Sequence, residues 1–226
     1  MRIFVLEIAM AKKKKITASE IIDIYMDEVV RLKGKPTDIV SFAMNHNFNE
    51  DDFYDHYESF VALDQAIFKI LFDTSVATLA ESPDFVSFSR KDKLLSLFYT
   101  FFENLTLNRD FVIHIVGSYG NQLKALSLFS DMKISFSNFM GMLNFETINL
   151  NIESVGNLQK TSITEGAWIQ LLLTLKFWMT DTSKDLQKTD IFIEKSINTS
   201  IELLNTQSFH NILDLGKFLY NEKFKS

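Results

Sequence analysis

Only 7 Gly and 2 Pro punctuate 226 residues. A chain of this length needs frequent turns to build a many-stranded sandwich or a Gly-rich nucleotide-binding sheet, so the scarcity of breakers predicts long helices. The hydrophobic share of 46% provides for a sizeable core, and the 23% of charged residues is ordinary for a globular domain. The 22 Phe supply bulky apolar surface for a core, a ligand cavity or both, and the absence of Cys excludes disulfides, Cys-ligated zinc, Fe–S clusters and thiol catalysis.

The formal charge of -6 is unevenly spread. Arg2 and Lys12, Lys13, Lys14 and Lys15 make a basic arm, while the rest of the chain is acidic. Glu7 interrupts the apolar run from Ile3 to Ala11, and the lysines follow it, the wrong order for a secretory signal and too short a run for a bilayer span. The expectation is a soluble, cytoplasmic protein, with Met10 as an alternative start.

Thr17-Ala18-Ser19-Glu20 is a capping-box pattern, and Ile21, Ile22, Tyr25, Val29 and Leu32 follow at helical spacing until Gly34. Thr37 is placed to cap a short second helix through Ile39, Val40, Phe42 and Ala43. Asn49 caps a third, which opens with Glu50-Asp51-Asp52, and a longer fourth carries Leu63, Ala66, Ile67, Ile70 and Leu71. Further on, apolar faces recur at residues 94–105, 111–116 and 123–143. Thr147 to Thr164 is polar and aperiodic, which predicts a connection. Two more helices are expected at about 166–180 and 186–204.

Ser41-Phe42-Ala43, Phe48 to Tyr57 and Glu58 to Leu63 together resemble the N-terminal helix-turn-helix domain of TetR/AcrR regulators, with Tyr54-Asp55-His56-Tyr57 closing the recognition helix. The pattern departs at Phe60, where that family usually carries Lys, and at the acidic Glu50, Asp51 and Asp52. The resemblance implies an all-α fold: a basic arm at 1–15, a three-helix helix-turn-helix domain at 16–63, and a larger helical bundle at 64–226 for ligand binding and dimerisation. It also implies a homodimer that binds duplex DNA and responds to a small apolar ligand, with no catalytic step, cofactor or metal. DNA contacts are expected from Lys12, Lys13, Lys14, Lys15, Thr37, Asn49, Tyr54 and His56. A ligand pocket is expected at Phe98, Phe101, Phe102, His114, Phe136 and Phe139, with its mouth near His114 and Tyr119. The dimer contact falls to Trp168, Leu172, Leu175, Ile193, Ile197 and Ile201.

A second resemblance runs through Phe177-Trp178-Met179-Thr180-Asp181-Thr182-Ser183 and Thr189 to Ile197. It is to the TetR-fold lipid-binding accessory proteins of ubiquinone biosynthesis, and it implies an alternative: an isoprenoid-binding protein without operator recognition. In that reading Phe209, Ile212, Leu213, Leu215, Phe218 and Leu219 form an amphipathic helix that touches a membrane.

Charge weighs on the choice. Residues 17–63 hold Arg31, Lys33 and Lys35 against ten carboxylates, a net charge of -7. Phosphate contacts dominate affinity for duplex DNA, so the acidic third helix opposes binding and the lysine arm offsets part of that. No Gly-x-Gly-x-x-Gly, Walker A, Gly-x-Ser-x-Gly or His-Glu-x-x-His motif is present, and the four His are scattered.

Overall fold

The computed structural model describes residues 15–120, 122–145, 153–204, 215 and 218. Its regular elements are all helical: α1 (Ala18–Leu32), α2 (Ile39–Asn45), α3 (Glu50–Tyr54), α4 (Phe60–Ala80), α5 (Arg90–Leu107), α6 (Arg109–Ser118), α7 (Gln122–Leu126), α8 (Ser130–Leu143), α9 (Glu153–Thr180) and α10 (Gln187–Leu204). Short 3-10 turns lie at Pro83–Ser87, Ser127–Phe129 and Lys184–Leu186.

Local chemistry sets the N-terminal boundaries. Thr17 Oγ1 accepts from the Glu20 N–H at 3.3 Å while Glu20 Oε2 accepts from the Thr17 N–H at 2.8 Å, a reciprocal cap. Lys33 turns left-handed at φ 54, letting the Gly34 N–H reach back to the Val29 carbonyl at 3.0 Å. Asp38, not Thr37, caps α2: its Oδ1 accepts from the Ser41 N–H at 2.8 Å, whereas Thr37 lies one residue too early and stays exposed. Asn49 opens α3, where Asp52 Oδ2 accepts from the Asn49 N–H at 3.2 Å, and Ser59 Oγ caps α4.

The three short helices close around Phe42. Its ring meets Tyr25, Phe48 and Phe60 edge-on at centroid distances of 5.9, 5.6 and 5.6 Å, with Phe53 at 6.4 Å. α4 then runs past the expected boundary at residue 64 into the second layer, packing on α5 and α8. There Phe68, Phe72, Phe98, Phe101, Phe111, Phe136 and Trp178 are fully buried.

Two expectations are corrected. The face at 123–143 is not one helix: α7 and α8 are separated by the turn Ser127–Phe129, whose Leu128 and Phe129 are buried, with Phe129 edge-on to Phe68 at 4.8 Å. Most of the polar stretch predicted as a connection belongs to α9, a 28-residue helix from Glu153. Between residues 160 and 167 only Ile163 and Ala167, one turn apart, are buried, too sparse a signal to register as a helical face. A Lys133–Glu165 ion pair at 2.8 Å ties this part of α9 to α8.

α9 and α10 are joined by a turn built on Asp181. Its Oδ1 accepts from the Ser183 N–H at 2.8 Å, and its Oδ2 accepts from the Thr189 N–H at 2.9 Å and the Thr189 hydroxyl at 2.7 Å. Burial pushes this carboxyl up, but those donors outweigh it and hold it well below the usual carboxylate range. Arg109 closes the other side, donating to the Asp181 carbonyl at 2.9 Å with its guanidinium 4.6 Å above the Trp178 ring.

Candidate functional site

In the α1–α3 unit, a short turn joins α2 to α3. Asn47 takes φ 60 between α2 and α3, and the Phe48 N–H reverses onto the Ala43 carbonyl at 3.1 Å, so Phe48 drops into the core beside Phe42. Asn49, Tyr54 and His56 are exposed, as is Thr37. Tyr54 is edge-on to Phe53, and the His56 ring nitrogen lies 3.2 Å from the Ile16 carbonyl. Lys12, Lys13 and Lys14 lie outside the described residues.

The cations of this unit are mostly committed elsewhere. Lys15 pairs with Asp55 at 2.6 Å, an interaction that raises the lysine and lowers the carboxyl. Arg31 donates from Nε and Nη2 to the buried Glu28 at 2.8 and 2.6 Å, and that hydrogen-bonded guanidinium holds Glu28 below the usual range. Lys35 reaches the buried Asp64 at 2.7 Å. Among the described residues through 63, Lys33 is the cation without an ion pair, while Glu50, Asp51 and Asp52 sit in the first turn of α3, where the helix dipole favours negative charge.

Asp64 is the polar centre of the molecule. It lies near the start of α4, fully buried, and accepts from the Tyr25 hydroxyl at 2.8 Å and the Tyr119 hydroxyl at 2.9 Å in addition to Lys35. Burial pushes the carboxyl up and Lys35 and the two phenols pull against it; both phenols are themselves raised, by burial and by the adjacent carboxylate. The Tyr119 hydroxyl is thus turned toward Asp64.

Of the aromatic residues expected to line a pocket, Phe98, Phe101 and Phe102 are in mutual ring contact through Phe102. Phe98, Phe101, Phe102, Phe136 and Phe139 are all buried. Phe101 stands 5.6 Å from Phe102 and 5.5 Å from Phe72, which in turn lies 6.1 Å from Phe136, itself 5.5 Å from Trp168. His114 is half-buried on α6. Two cavities lie beside these helices among the described residues. One of about 140 Å³ lies between α8 and α9 at Met140, Asn144 and Ile163, and a cleft of about 470 Å³ runs between α5 and the start of α10. Phe102 lines that cleft, with Tyr99, Glu103, Trp178, Thr189 and Asp190.

On the far side of α9 and α10 is an open groove of about 660 Å³ lined by Ile169, Leu173, Phe177, Ile191, Phe192 and Lys195 among others. Phe177 and Phe192 stack face to face at 4.8 Å, and Gln170 ties the two helices by bonds to Ser196 and Ser200. The residues expected to meet a partner do not line this groove. Trp168, Leu175, Ile193 and Ile197 are sealed in the protomer core, and Leu172 and Ile201 are half-buried against it. The outward apolar residues are their neighbours: Ile169, Leu173 and Ile191 remain 55%, 53% and 50% exposed.

No helix of the described residues is long and apolar enough to cross a membrane. Leu215 and Phe218 are helical and exposed, and the other residues of the proposed amphipathic tail lie outside the described residues.

Residues 93–219 match the model of the tetracyclin repressor-like C-terminal domain, more than half of the chain. The protein is thus a member of the TetR family. No curated protein matches it.

Proposed function

We propose that this TetR-family protein is a ligand-responsive regulator that binds operator DNA as a homodimer. The observation that supports this reading is the tight turn at Asn47 between α2 and α3, with Phe42, Phe48 and Phe53 packed together beneath it, the arrangement a helix-turn-helix needs. Two copies joined along the α9–α10 groove present two such units, and a small apolar effector that favours one separation of them shifts the population that fits the operator. Lys12, Lys13, Lys14 and Lys15 supply phosphate contact; Thr37, Asn49, Tyr54 and His56 stand at the exposed surface for closer contact. The effector is taken up in the cleft between α5 and the start of α10, which Phe102 lines. No catalytic step is involved, and the site of action is the cytoplasm.

One observation favours a second reading, a TetR-fold lipid-binding protein without operator recognition that meets the membrane through its C-terminal segment. Arg31, Lys35 and Lys15 are each paired with a carboxylate, so little positive charge in the described unit is free for phosphate. Unbiased selection of duplex sites with the full-length protein at low salt, together with native mass spectrometry for a co-purifying hydrophobe, separates the two. An enriched motif supports the regulator; no motif and a bound lipid support the alternative.

A further inference from the structure

We propose that Asp64 is a positioning residue that locks the helix-turn-helix unit onto the C-terminal end of α6, with Tyr119 as the removable arm of the lock. Three parts of the chain converge on one buried carboxylate of α4. Tyr25 comes from α1 and donates to Oδ1 at 2.8 Å, Lys35 from the α1–α2 turn reaches Oδ2 at 2.7 Å, and Tyr119 from the end of α6 donates to the same Oδ2 at 2.9 Å. The Lys35 ammonium also lies 3.8 Å from the centroid of the Tyr119 ring, so cation, phenol and carboxylate are mutually in contact.

Stability alone is a poor reason for such an arrangement, because an ion pair withdrawn from water is often matched or bettered by apolar side chains of the same volume. What it provides is one geometry, since the two phenols each donate a single directional bond to a carboxylate oxygen and the Lys35 charge keeps that carboxylate in place. The arms are unequal. Tyr25 and Lys35 belong to the same three-helix unit, whereas Tyr119 is the arm that comes from beyond α4. It follows the last turn of α6 and precedes Gly120 at φ 60, and it is only half-buried. The remaining contact of α1 with α6 includes Tyr25 on Phe111, ring centroids 6.3 Å apart, an apolar surface with no directional preference of hydrogen-bonding kind. With Tyr119 withdrawn, Asp64 and Lys35 stay paired but the unit loses its directional tie to α6. This role holds whether or not the unit touches DNA.

Hydrogen–deuterium exchange on the full-length protein tests it. Tyr119→Phe keeps the ring, its volume and its contact with Lys35, and removes only the donor. Because a hydrogen bond to a charged acceptor is worth a tenfold change in population or more, amide exchange across α1 and the α1–α2 turn should rise roughly tenfold. Exchange in α5 and α8 should stay unchanged. Lys35→Met, which strands the carboxylate, should give the same regional pattern with a larger rise; if it does not fold, Tyr119→Phe alone decides. Unchanged exchange in α1 for Tyr119→Phe, or an equal rise in every helix, overturns the proposal.

Discussion

Replacing Leu173 with Ala asks whether the groove on α9 and α10 is where two copies meet. Leu173 is 53% exposed in the protomer, so about half of its side chain is still available for burial. Full burial of a leucine is worth about 1.5–3 kcal/mol, which leaves about 0.8–1.5 kcal/mol for the exposed half. A twofold interface uses the residue twice, giving about 1.5–3 kcal/mol per dimer, or roughly a 10- to 150-fold change in Kd. Alanine keeps Cβ, so the lower part of that range is expected. Sedimentation velocity over a concentration series reads the constant directly. Ile197→Ala is the matched control: Ile197 is fully buried in the protomer, so its truncation should cost about 2–5 kcal/mol of folding stability and leave the dimer constant near wild type. A Leu173→Ala protein with unchanged Kd, or an Ile197→Ala protein that stays folded and loses the dimer, refutes this account of which faces point outward.

Thr189→Val removes the hydroxyl that Asp181 Oδ2 accepts at 2.7 Å inside the α9–α10 turn, and should lower stability by about 1.5–3 kcal/mol; an unaltered denaturant midpoint argues against the turn as a fastening point. Because Asp181 titrates lower in the folded chain than in the unfolded one, its stabilising contribution is complete above the ordinary carboxylate range and is lost as pH falls through the folded value. The melting temperature of the wild type should therefore fall more steeply below about pH 4 than that of Asp181→Asn, and parallel slopes contradict it. Phe101→Ala empties a site in solid ring contact and should cost about 3–5 kcal/mol by chemical denaturation; a loss under about 1 kcal/mol means that the ring faces a void. Replacing Lys12, Lys13, Lys14 and Lys15 with Ala should weaken DNA binding across all sequences and flatten its salt dependence, which titrations at several ionic strengths measure.

The sequence is most legible where causes are local. The Thr17 box, the Asn49 start of α3 and the spacing of Phe98, Phe101, Phe102 and Leu105 each involve partners within one or two turns, and each is present in the fold. The faces of α9 were not legible, because Trp168 and Ile169, or Leu172 and Leu173, are neighbours of equal hydrophobicity, and a helix apolar on all sides does not declare which side is covered. At the start of α2, Thr37 and Asp38 are both good caps at adjacent positions, and only the chain path decides for Asp38. The Asp64 cluster was beyond reach: its partners lie 39 and 55 residues away for the two tyrosines, and nothing in a single sequence links them. Charge was correctly counted in the helix-turn-helix, but counting does not reveal that Lys35 is turned inward and Lys15 is held by Asp55.

The regulator reading stands or falls on DNA selection by the full-length protein from a randomised duplex library at low salt, followed by Kd measured against salt for the recovered site. The account predicts one motif with two inverted half-sites about one helical turn apart, matching the twofold symmetry of the dimer. It also predicts a salt slope no steeper than roughly -7, because the arm lysines of two copies account for nearly all the phosphate contacts that the chain can make. Failure to enrich any sequence over background, with the dimer intact by sedimentation, contradicts it.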